Sequence, residues 1–391
     1  MNVLFFGQAT GGNALLWFDY FNSLENDNSR IKVTLLARTI CTLKHNFKVI
    51  SPYGKKERNG FVRKVINKSA SMVGVRLAIQ YLCYNRYFDL VVLQGNYTPQ
   101  TNLDVLKYSK YNKSILNIYG SDFYRKFLLG EFSERERNNF IEVIDKVDVV
   151  MCNWETTFND FINSFPKYKD KVKYVPWGID PNWATNVPTK VESGVVKFLS
   201  TRALHAYNNV DLVVEAFCMA YKDKAETALL HVVASYGLDT KVLQRINELI
   251  YEYKLEKSII VETNHWYEGD ELISLYDSAD YNICFGSTDQ LTLSIPYALS
   301  RKVINILSPI DNYKALFSNG FSTPIICDTL DVNSLRLIFD KISLGKMKVS
   351  EQLLEADRNN SLNLFNIENT FGFYLAQTGF NQSILRHNNE K

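Results

Sequence analysis

Short apolar runs alternate with amphipathic, helix-length stretches along almost the whole chain, and this alternation limits the possible folds more than any other feature. A helix that links two neighbouring strands usually returns the chain in the same direction, so the pattern indicates parallel sheets covered by helices on both faces. The sequence therefore predicts an α/β fold. Predicted strands lie at residues 3–6, 31–36, 90–93, 114–118, 147–151, 195–199, 229–234, 259–262, 281–284, 303–306 and 324–327.

The predicted strands are too many for one ordinary domain, and a chain of 391 residues is long enough for two or three. The best boundary is the segment 176–194, which contains three prolines, two glycines and no helical period. We predict a Rossmann-like domain over 1–178, a linker over 179–194 and a second Rossmann-like domain over 195–371, with a C-terminal helix over about 372–391 packing back on the first domain. We expect the two doubly wound sheets to face each other across a cleft and to bind ligands in the loops after their strands.

Charge and motif content argue against several classes of function. Lys and Arg number 44 against 42 Asp and Glu, and this net charge of +2 disfavours a general nucleic-acid binder. The sequence has no zinc-ligand spacing, no P-loop and no D-x-D pair, so we expect neither a metal nor a cofactor. Gly7, Gly11 and Gly12 lack the G-x-G-x-x-G spacing of nicotinamide enzymes.

No signal peptide or membrane-length apolar stretch is visible, which favours a cytosolic or peripheral location.

Two loops of the first half carry candidate residues. Gly11 and Gly12 lie between the first strand and a predicted helix, where backbone N–H groups can approach an anion. An ordinary tight turn is the alternative for these glycines. Asp122 follows the strand 114–118, and it can orient an acceptor hydroxyl or act as a base. Capping of a helix by Ser121 or Asp122 is the competing account.

The loop after the strand 195–199 contains Arg202, whose planar guanidinium suits a phosphate. A plain exposed arginine is the alternative. Asn209, seven residues later, is expected to cap the following helix. A second loop, after the strand 259–262, contains His265 and Trp266, which are suited to stacking on a nucleobase. A partly buried surface tryptophan is the more ordinary explanation for that pair.

The loop 286–294 follows the strand 281–284 and precedes a predicted helix over 294–300. Its small and polar residues leave several N–H groups available to a diphosphate, and Asp289 can accept hydrogen bonds from sugar hydroxyls. A plain loop with Thr292 or Ser294 as helix cap is the alternative. Each loop is a weak signal alone, but all of them are expected at the same edges of two sheets.

Several segments together resemble family 4 glycosyltransferases, the retaining sugar transferases of the GT-B type with two Rossmann-like domains. In the second half these are STRALHAYNNVDLVVEAF, LLHVVASYGL and IIVETNHWYEGDELISLYDSADYNICFGSTDQLTLSIPYALSRKVINI. In the first half GQATGGNALLW, IYGSDFYR and YVPWGIDPNW are similar to the glycine loop, the acceptor loop and the inter-domain segment of that family. The resemblance implies transfer of a sugar from a nucleotide-sugar with retention at the anomeric carbon and without a metal.

The resemblance also implies roles for particular residues. Arg202 matches the basic residue that holds the leaving diphosphate, while Asn208 stands where the family has a lysine. The E-x7-E pair of the family falls on Asp289 and Tyr297, of which Tyr297 cannot replace the carboxylate that takes the ribose hydroxyls. By the same resemblance, Asp122, Arg202 and Asp289 are the expected catalytic residues. The expected nucleotide-sugar contacts are Gly11, Gly12, Arg202, His265, Trp266, Gln290, Leu291, Thr292 and Tyr297.

Residues 42–86 form a basic region with ten Lys or Arg and a single acidic residue, Glu57. Apolar residues interleave with these charges, which is typical of a surface that lies on anionic lipid. A solvated basic loop and nucleic-acid binding are the alternatives. With the family resemblance, this region favours a lipid-linked saccharide acceptor at the inner face of the plasma membrane, in bacterial surface-polysaccharide synthesis such as that of lipopolysaccharide.

Two other functions are compatible with the same residues. One is a sugar-nucleotide epimerase or phosphorylase of GT-B fold, which shares the cleft but not the acceptor loop. The other is a non-catalytic nucleotide-sugar binding module, which Asn208 and Tyr297 favour because each replaces a charged residue of the family.

Overall fold

The chain divides into two compact units, each with its own parallel sheet. One unit comprises Met1–Asp180 with Asn366–Lys391, and the other comprises Pro181–Phe365. The predicted α/β class with two Rossmann-like domains is confirmed. The computed structural model describes residues 1–8, 17–18, 20–24, 30–38, 44–51, 75–83, 86–176, 178–189, 194–234 and 237–379.

The described strands of the first unit are β1 (Asn2–Gly7), β2 (Lys32–Ala37), β3 (Lys48–Ile50), β4 (Phe88–Gln94), β5 (Tyr111–Ile118), β6 (Val149–Cys152) and β7 (Val172–Tyr174). They form one parallel sheet in the order β3-β2-β1-β4-β5-β6-β7. The predictions missed β3 and β7. Each has only three residues and contains a lysine, so neither shows the apolar run that marks a buried strand.

The second unit contains β8 (Val196–Ser200), β9 (Ala228–Val233), β10 (Ile259–Glu262), β11 (Tyr281–Cys284), β12 (Ile304–Leu307) and β13 (Ile325–Ile326). These strands also form a parallel sheet, in the order β10-β9-β8-β11-β12-β13. All six lie within two residues of the predicted runs. The order reverses between β8 and β11, which makes that pair the topological switch point of this sheet.

Helices connect most of the successive strands in the described parts of both units. Helix α5 illustrates the pattern, because Val213, Val214 and Phe217 are buried along one side of it and pack into the core under the sheet. The described α-helices are α1 (Val75–Cys83), α2 (Pro99–Tyr108), α3 (Glu134–Lys146), α4 (Glu155–Ser164), α5 (Val210–Tyr221), α6 (Thr240–Tyr253), α7 (Gly269–Asp277), α8 (Ser294–Ser300), α9 (Asp311–Ser318), α10 (Val332–Ser343), α11 (Glu351–Leu364) and α12 (Ile367–Ala376).

The segment that begins at Pro181 is part of the second unit, although the sequence predicts a linker over 179–194. Trp183 stacks on Tyr297 with ring centroids 4.0 Å apart. The buried guanidinium of Arg301 donates to the carbonyl oxygens of Trp183, Thr185 and Asn186, and it also forms a two-pronged pair with Asp277. These tertiary bonds fix a stretch that has no periodicity of its own, which is why the sequence suggests a free connection.

The chain returns to the first unit at Asn366, six residues earlier than the predicted return at about residue 372. Ile179 and Asn366 form an isolated β-bridge, and Gly178 lies directly against Ile367. Farther along helix α12, Phe371 and Tyr374 are buried among the aromatic rings of the first unit. The predicted second domain over 195–371 is therefore too long at its end by six residues.

None of the helices in the described part of the chain has both the length and the apolar character needed to cross a bilayer. Most of the basic region 42–86 lies outside the described residues. The part that is described includes β3 and α1, and α1 exposes Leu77 and Tyr81 with 59% and 79% of their surface accessible.

Candidate functional site

The loops after β8 and β11 come together at the switch point of the second sheet. The N–H of Ser287 donates to the carbonyl of Tyr207 at 2.8 Å, and the side-chain amide of Asn209 donates to the carbonyl of Phe285 at 3.0 Å. Asn209 occupies the N-cap position of helix α5, as predicted, but its side chain links the two loops and makes no capping hydrogen bond. Its backbone adopts a left-handed conformation (φ 51°) that asparagine tolerates better than most residues.

Arg202 and Asp289, predicted from separate loops, are direct partners. Nη2 of Arg202 lies 2.7 Å from Oδ2 of Asp289, and the two side chains are only 10% and 17% exposed. The same Nη2 donates to Oδ1 of Asn208 at 3.0 Å, and the Asn208 amide donates to the carbonyl of Ala203 at 2.7 Å. The residue at the expected lysine position thus supports Arg202 and brings no charge.

Two residues that the sequence did not indicate hold Asp289 from the other side. The hydroxyl of Tyr313 donates to Oδ2 of Asp289 at 2.9 Å, and the side-chain amide of Asn312 donates to its carbonyl oxygen. Both lie at the start of α9, after the neighbouring strand β12. Burial, with the charge of Asp289 as a second cause, raises the pKa of Tyr313 well above its usual range, so this hydroxyl keeps its proton. The sequence signal that could have indicated Asn312 and Tyr313 is their position as a polar pair after the neighbouring strand β12, and this signal is weak.

The backbone from Gln290 to Leu293 offers hydrogen-bond donors next to this pair. The N–H of Gln290 is bonded to Oδ1 of its neighbour Asp289 at 2.8 Å. Within the described structure, no hydrogen bond is recorded from the N–H groups of Leu291, Thr292 and Leu293. The cap position of α8 is Leu293 and no side chain caps this helix, so the alternative of a cap at Thr292 or Ser294 does not apply. Thr292 is half-buried, while Gln290 and Leu291 are buried.

Tyr297 is packed away as part of an aromatic cluster. Its ring lies face to face with Trp183 and meets Tyr276 edge-on at 6.0 Å. This ring is 8% exposed and serves the core of the second unit. The structure therefore gives Tyr297 a packing role, and a contact with a nucleotide stays a prediction.

His265 and Trp266 lie in the loop after β10, one strand beyond β9 at the edge of the sheet. His265 is half exposed and its Nε2 lies 2.8 Å from Oε1 of Glu271. The ring of Tyr267 meets the His265 ring edge-on at 4.4 Å. His265 thus has local partners, and the structure does not bring it together with Arg202 or Asp289 through any recorded contact among the described residues.

In the first unit, Asp122 lies after β5 and is completely buried. Its carboxylate accepts three backbone hydrogen bonds, from Asn96 at 2.7 Å and from Tyr119 and Phe123 at 3.0 Å each. Burial outweighs these bonds and raises the pKa of Asp122 to about 6. The helical segment Asp122–Leu128 begins after Ser121, whose side chain makes no capping bond, so neither alternative is met as predicted. The carboxylate of Asp122 fixes the backbone around the start of this segment, and its role as a base stays a prediction.

A polar network that the sequence did not indicate surrounds Asp122. Arg38, after β2, donates to the carbonyl of Gly95 at 2.7 Å and to Oδ1 of Asn102 at 2.8 Å, and Asn102 in turn donates to Asn96. The network joins the carboxyl ends of β2, β4 and β5. Gly11 and Gly12 lie outside the described residues, so their predicted anion contact stays a prediction.

No cluster of three or more His, Cys, Asp and Glu side chains is arranged to hold a metal ion in the described parts of the chain. Two of the least exposed pairs of titratable side chains in the second unit, Arg202 with Asp289 and Arg301 with Asp277, are ion pairs.

No family model and no curated protein matches the sequence. Solved structures do match its fold. Sucrose-phosphate synthase from Thermosynechococcus elongatus superposes with a TM-score of 0.72 at 13% identity, over 97% of each chain. HepE from Anabaena, in complex with UDP and glucose, gives a TM-score of 0.68 at 12% identity over 96% of this chain and 98% of HepE. A glycosyltransferase from Rickettsia africae gives 0.66 at 15% identity over 99% of each chain. The two doubly wound domains of this chain therefore have the GT-B type of fold.

Proposed function

We propose that the protein is a glycosyltransferase that moves a sugar from a nucleotide-sugar to a saccharide acceptor, with retention at the anomeric carbon and without a metal ion. The observation that carries this proposal is the meeting of Arg202, Asp289 and the 290–293 backbone at the switch point of the second sheet, where ligands bind in open α/β sheets. The likeness in fold to HepE, which was solved in complex with UDP and glucose, supports the same donor class.

The proposed mechanism is electrostatic. As the bond between sugar and diphosphate breaks, negative charge grows on the diphosphate oxygens, and Arg202 with the N–H groups of Leu291 and Thr292 stabilises that charge. One such fixed donor contributes about 3 kcal/mol in the transition state. Asp289 accepts hydrogen bonds from hydroxyls of the donor sugar. The acceptor hydroxyl then attacks from the face that the diphosphate leaves and passes its proton to the departing diphosphate oxygen, which retains the anomeric configuration.

We propose a lipid-linked saccharide as acceptor and a cytoplasmic location, peripheral to the inner face of the plasma membrane, in surface-polysaccharide synthesis. The exposed Leu77 and Tyr81 on α1 support contact with lipid, because they lie one helical turn apart within the basic region. Sedimentation with phosphatidylglycerol vesicles should retain the protein at low salt and release it at high salt. Equal recovery with neutral vesicles would contradict this part of the proposal.

A second candidate is a nucleotide-sugar binding protein without transferase activity. The stacking of Tyr297 on Trp183 favours it, because the ribose grip expected at this position is then missing. An epimerase or phosphorylase of the same fold is a third candidate. Analysis of the products distinguishes the transferase, the binding protein and this third class.

The decisive experiment is a screen of UDP-, GDP-, ADP-, CDP- and dTDP-sugars by thermal shift and by mass spectrometry of the products. We expect one donor to stabilise the protein, to lose its sugar in the presence of acceptor, and to do so with EDTA present. NMR of the product should show the anomeric configuration of the donor. A donor that binds but is never consumed would favour the binding protein, whereas consumption without transfer to an acceptor would favour the epimerase.

Arg202→Lys tests the predicted role of the guanidinium. A lysine keeps one positive charge but lacks the planar, two-pronged donor set that suits a diphosphate, so we expect kcat to fall about 100-fold. Arg245→Lys is the matched control, because Arg245 lies in the same unit on the surface and pairs loosely with Glu215 at 3.5 Å. Turnover of Arg202→Lys equal to that of Arg245→Lys would remove Arg202 from the mechanism.

A further inference from the structure

Asp289 has hydrogen-bond donors on several sides. Its Oδ2 accepts from Nη2 of Arg202 at 2.7 Å and from the Tyr313 hydroxyl at 2.9 Å, while Oδ1 accepts from the N–H of Gln290 at 2.8 Å. The amide of Asn312 holds the carbonyl of the same residue. Both the side chain and the backbone of Asp289 are therefore fixed from α9, which follows a different strand from the loop itself.

The pairing has a consequence for any anion that approaches Arg202. The charge of the guanidinium is already balanced by a largely buried carboxylate, and Asn208, on the same Nη2, adds no charge. A diphosphate that comes to this neutral pair gains much less Coulomb energy than it would from an unpaired arginine. To use the full charge of Arg202, the diphosphate must take the place that Asp289 holds in this structure.

The hydrogen bond from Tyr313 bears on the free energy that is lost when the ion pair between Asp289 and Arg202 breaks. A carboxylate that loses its cation while buried needs other donors, since an unsatisfied buried charge is strongly unfavourable. The Tyr313 hydroxyl is wholly buried, and burial keeps its proton in place as described above. Together with the N–H of Gln290, it leaves the carboxylate two hydrogen bonds after Arg202 has turned away.

We propose that Asp289 exchanges partners when the donor binds, and that Tyr313 is the positioning residue that keeps its carboxylate in place during the exchange. Arg202 passes to the diphosphate, and the oxygen that it leaves accepts a hydroxyl of the donor sugar. This inference rests on the proposed nucleotide-sugar function. It assigns one carboxylate two successive tasks, and it explains why a fully buried tyrosine hydroxyl is directed at an ion pair.

The test is a double-mutant cycle on nucleotide affinity, measured by calorimetric titration with UDP, GDP, ADP, CDP and dTDP. For the diphosphate that binds the wild type, we expect Asp289→Asn to bind about tenfold more tightly, because the competing charge is gone. Tyr313→Phe should bind about fivefold more weakly, because the released carboxylate loses a donor. In the Asp289→Asn background, Tyr313→Phe should have no further effect.

Tyr221→Phe is the matched control. Tyr221 is also fully buried in the second unit, and its hydroxyl bonds to the carbonyl of Phe339 at 3.4 Å, away from Asp289. It should leave the nucleotide affinity unchanged, and thermal unfolding should show that all variants fold. The matching nucleoside, which lacks phosphate, should bind every variant with equal affinity.

The outcomes separate the two proposals. A wild type that binds none of the five diphosphates overturns the proposed donor class and this inference with it. If the wild type binds one of them but Asp289→Asn binds it no more tightly, the exchange of partners is wrong while the donor class stands. If Tyr313→Phe weakens binding equally in both backgrounds, Tyr313 is merely structural.

Discussion

Asp122 and Asp289 show how differently two aspartates can be used after parallel strands. Asp289 pairs with a cation and keeps some contact with solvent, whereas Asp122 is sealed under its loop with three N–H donors and no cation bonded to it. The sequence motifs around them look equally suited to catalysis. Their surroundings set their chemistry, because solvation and partners determine the charge state of a carboxyl group.

The raised pKa of Asp122 predicts a pH-dependent contribution to stability. The folded pKa is about 6 against an ordinary value of 3.8, so folding favours the protonated form. The contribution of this group is therefore greatest below about pH 4 and is lost as the pH rises through 6, an effect of about 3 kcal/mol. The asparagine of Asp122→Asn does not titrate. In urea unfolding, the free energy of unfolding of this variant, relative to that of the wild type, should therefore rise by about 3 kcal/mol between pH 4 and 7. A difference that is constant with pH would contradict this account.

At the scale of elements, the start of α12 is held by the segment Gly178–Asp180. A Cβ on Gly178 would lie 2.1 Å from Cα of Ile367, a distance that no side chain can occupy. The β-bridge between Ile179 and Asn366 then sets the direction in which the helix leaves. The glycine in this segment is required by the close approach of two backbones, and its own φ is not positive.

Gly178→Ala should therefore displace the first turn of α12 and lower the free energy of unfolding by about 2–3 kcal/mol. Gly130→Ala is the control, because a Cβ there meets nothing and only the positive φ of 80° is strained, at a cost of about 1 kcal/mol. Urea unfolding of both variants gives the comparison. Equal losses would mean that the first turn of α12 shifts without significant strain.

Over the whole molecule, the first unit is built from two separate parts of the chain, Met1–Asp180 and Asn366–Lys391. Helix α12 places Phe371 within 5.2 Å of Tyr20 and 6.4 Å of Phe5, measured between ring centroids, and Tyr374 stacks on Trp17 at 5.6 Å. The amide of Asn117 in β5 also bonds to the Tyr374 hydroxyl. The first unit therefore has a complete core only after the last described helix has been made.

Phe371→Ala should destabilise the first unit by about 3–5 kcal/mol through the cavity that it leaves. Hydrogen exchange should then accelerate in β1 and remain unchanged in β8. Phe339→Ala is the reciprocal control, since Phe339 is fully buried against Phe198 and Phe217 in the second unit, and it should accelerate β8 alone. Equal acceleration in both sheets for either variant would show that the units unfold as one.

The class of fold and the positions of most strands follow from the amino-acid pattern alone, because a buried parallel strand must be a continuous apolar run and a covering helix must repeat its apolar residues every third or fourth position. The same signal failed for β3, β7 and the segment at Pro181, which are short or held by distant side chains. The pattern of apolar runs also indicated Arg202 and Asp289 as candidate site residues, since both follow predicted buried strands. The three-dimensional structure was needed to show that these two residues pair, that Tyr313 and Asn312 hold Asp289, that Tyr297 packs in an aromatic cluster and that Asp122 is completely buried. Each of these depends on which side chains from distant strands meet, and no local pattern in a chain records that.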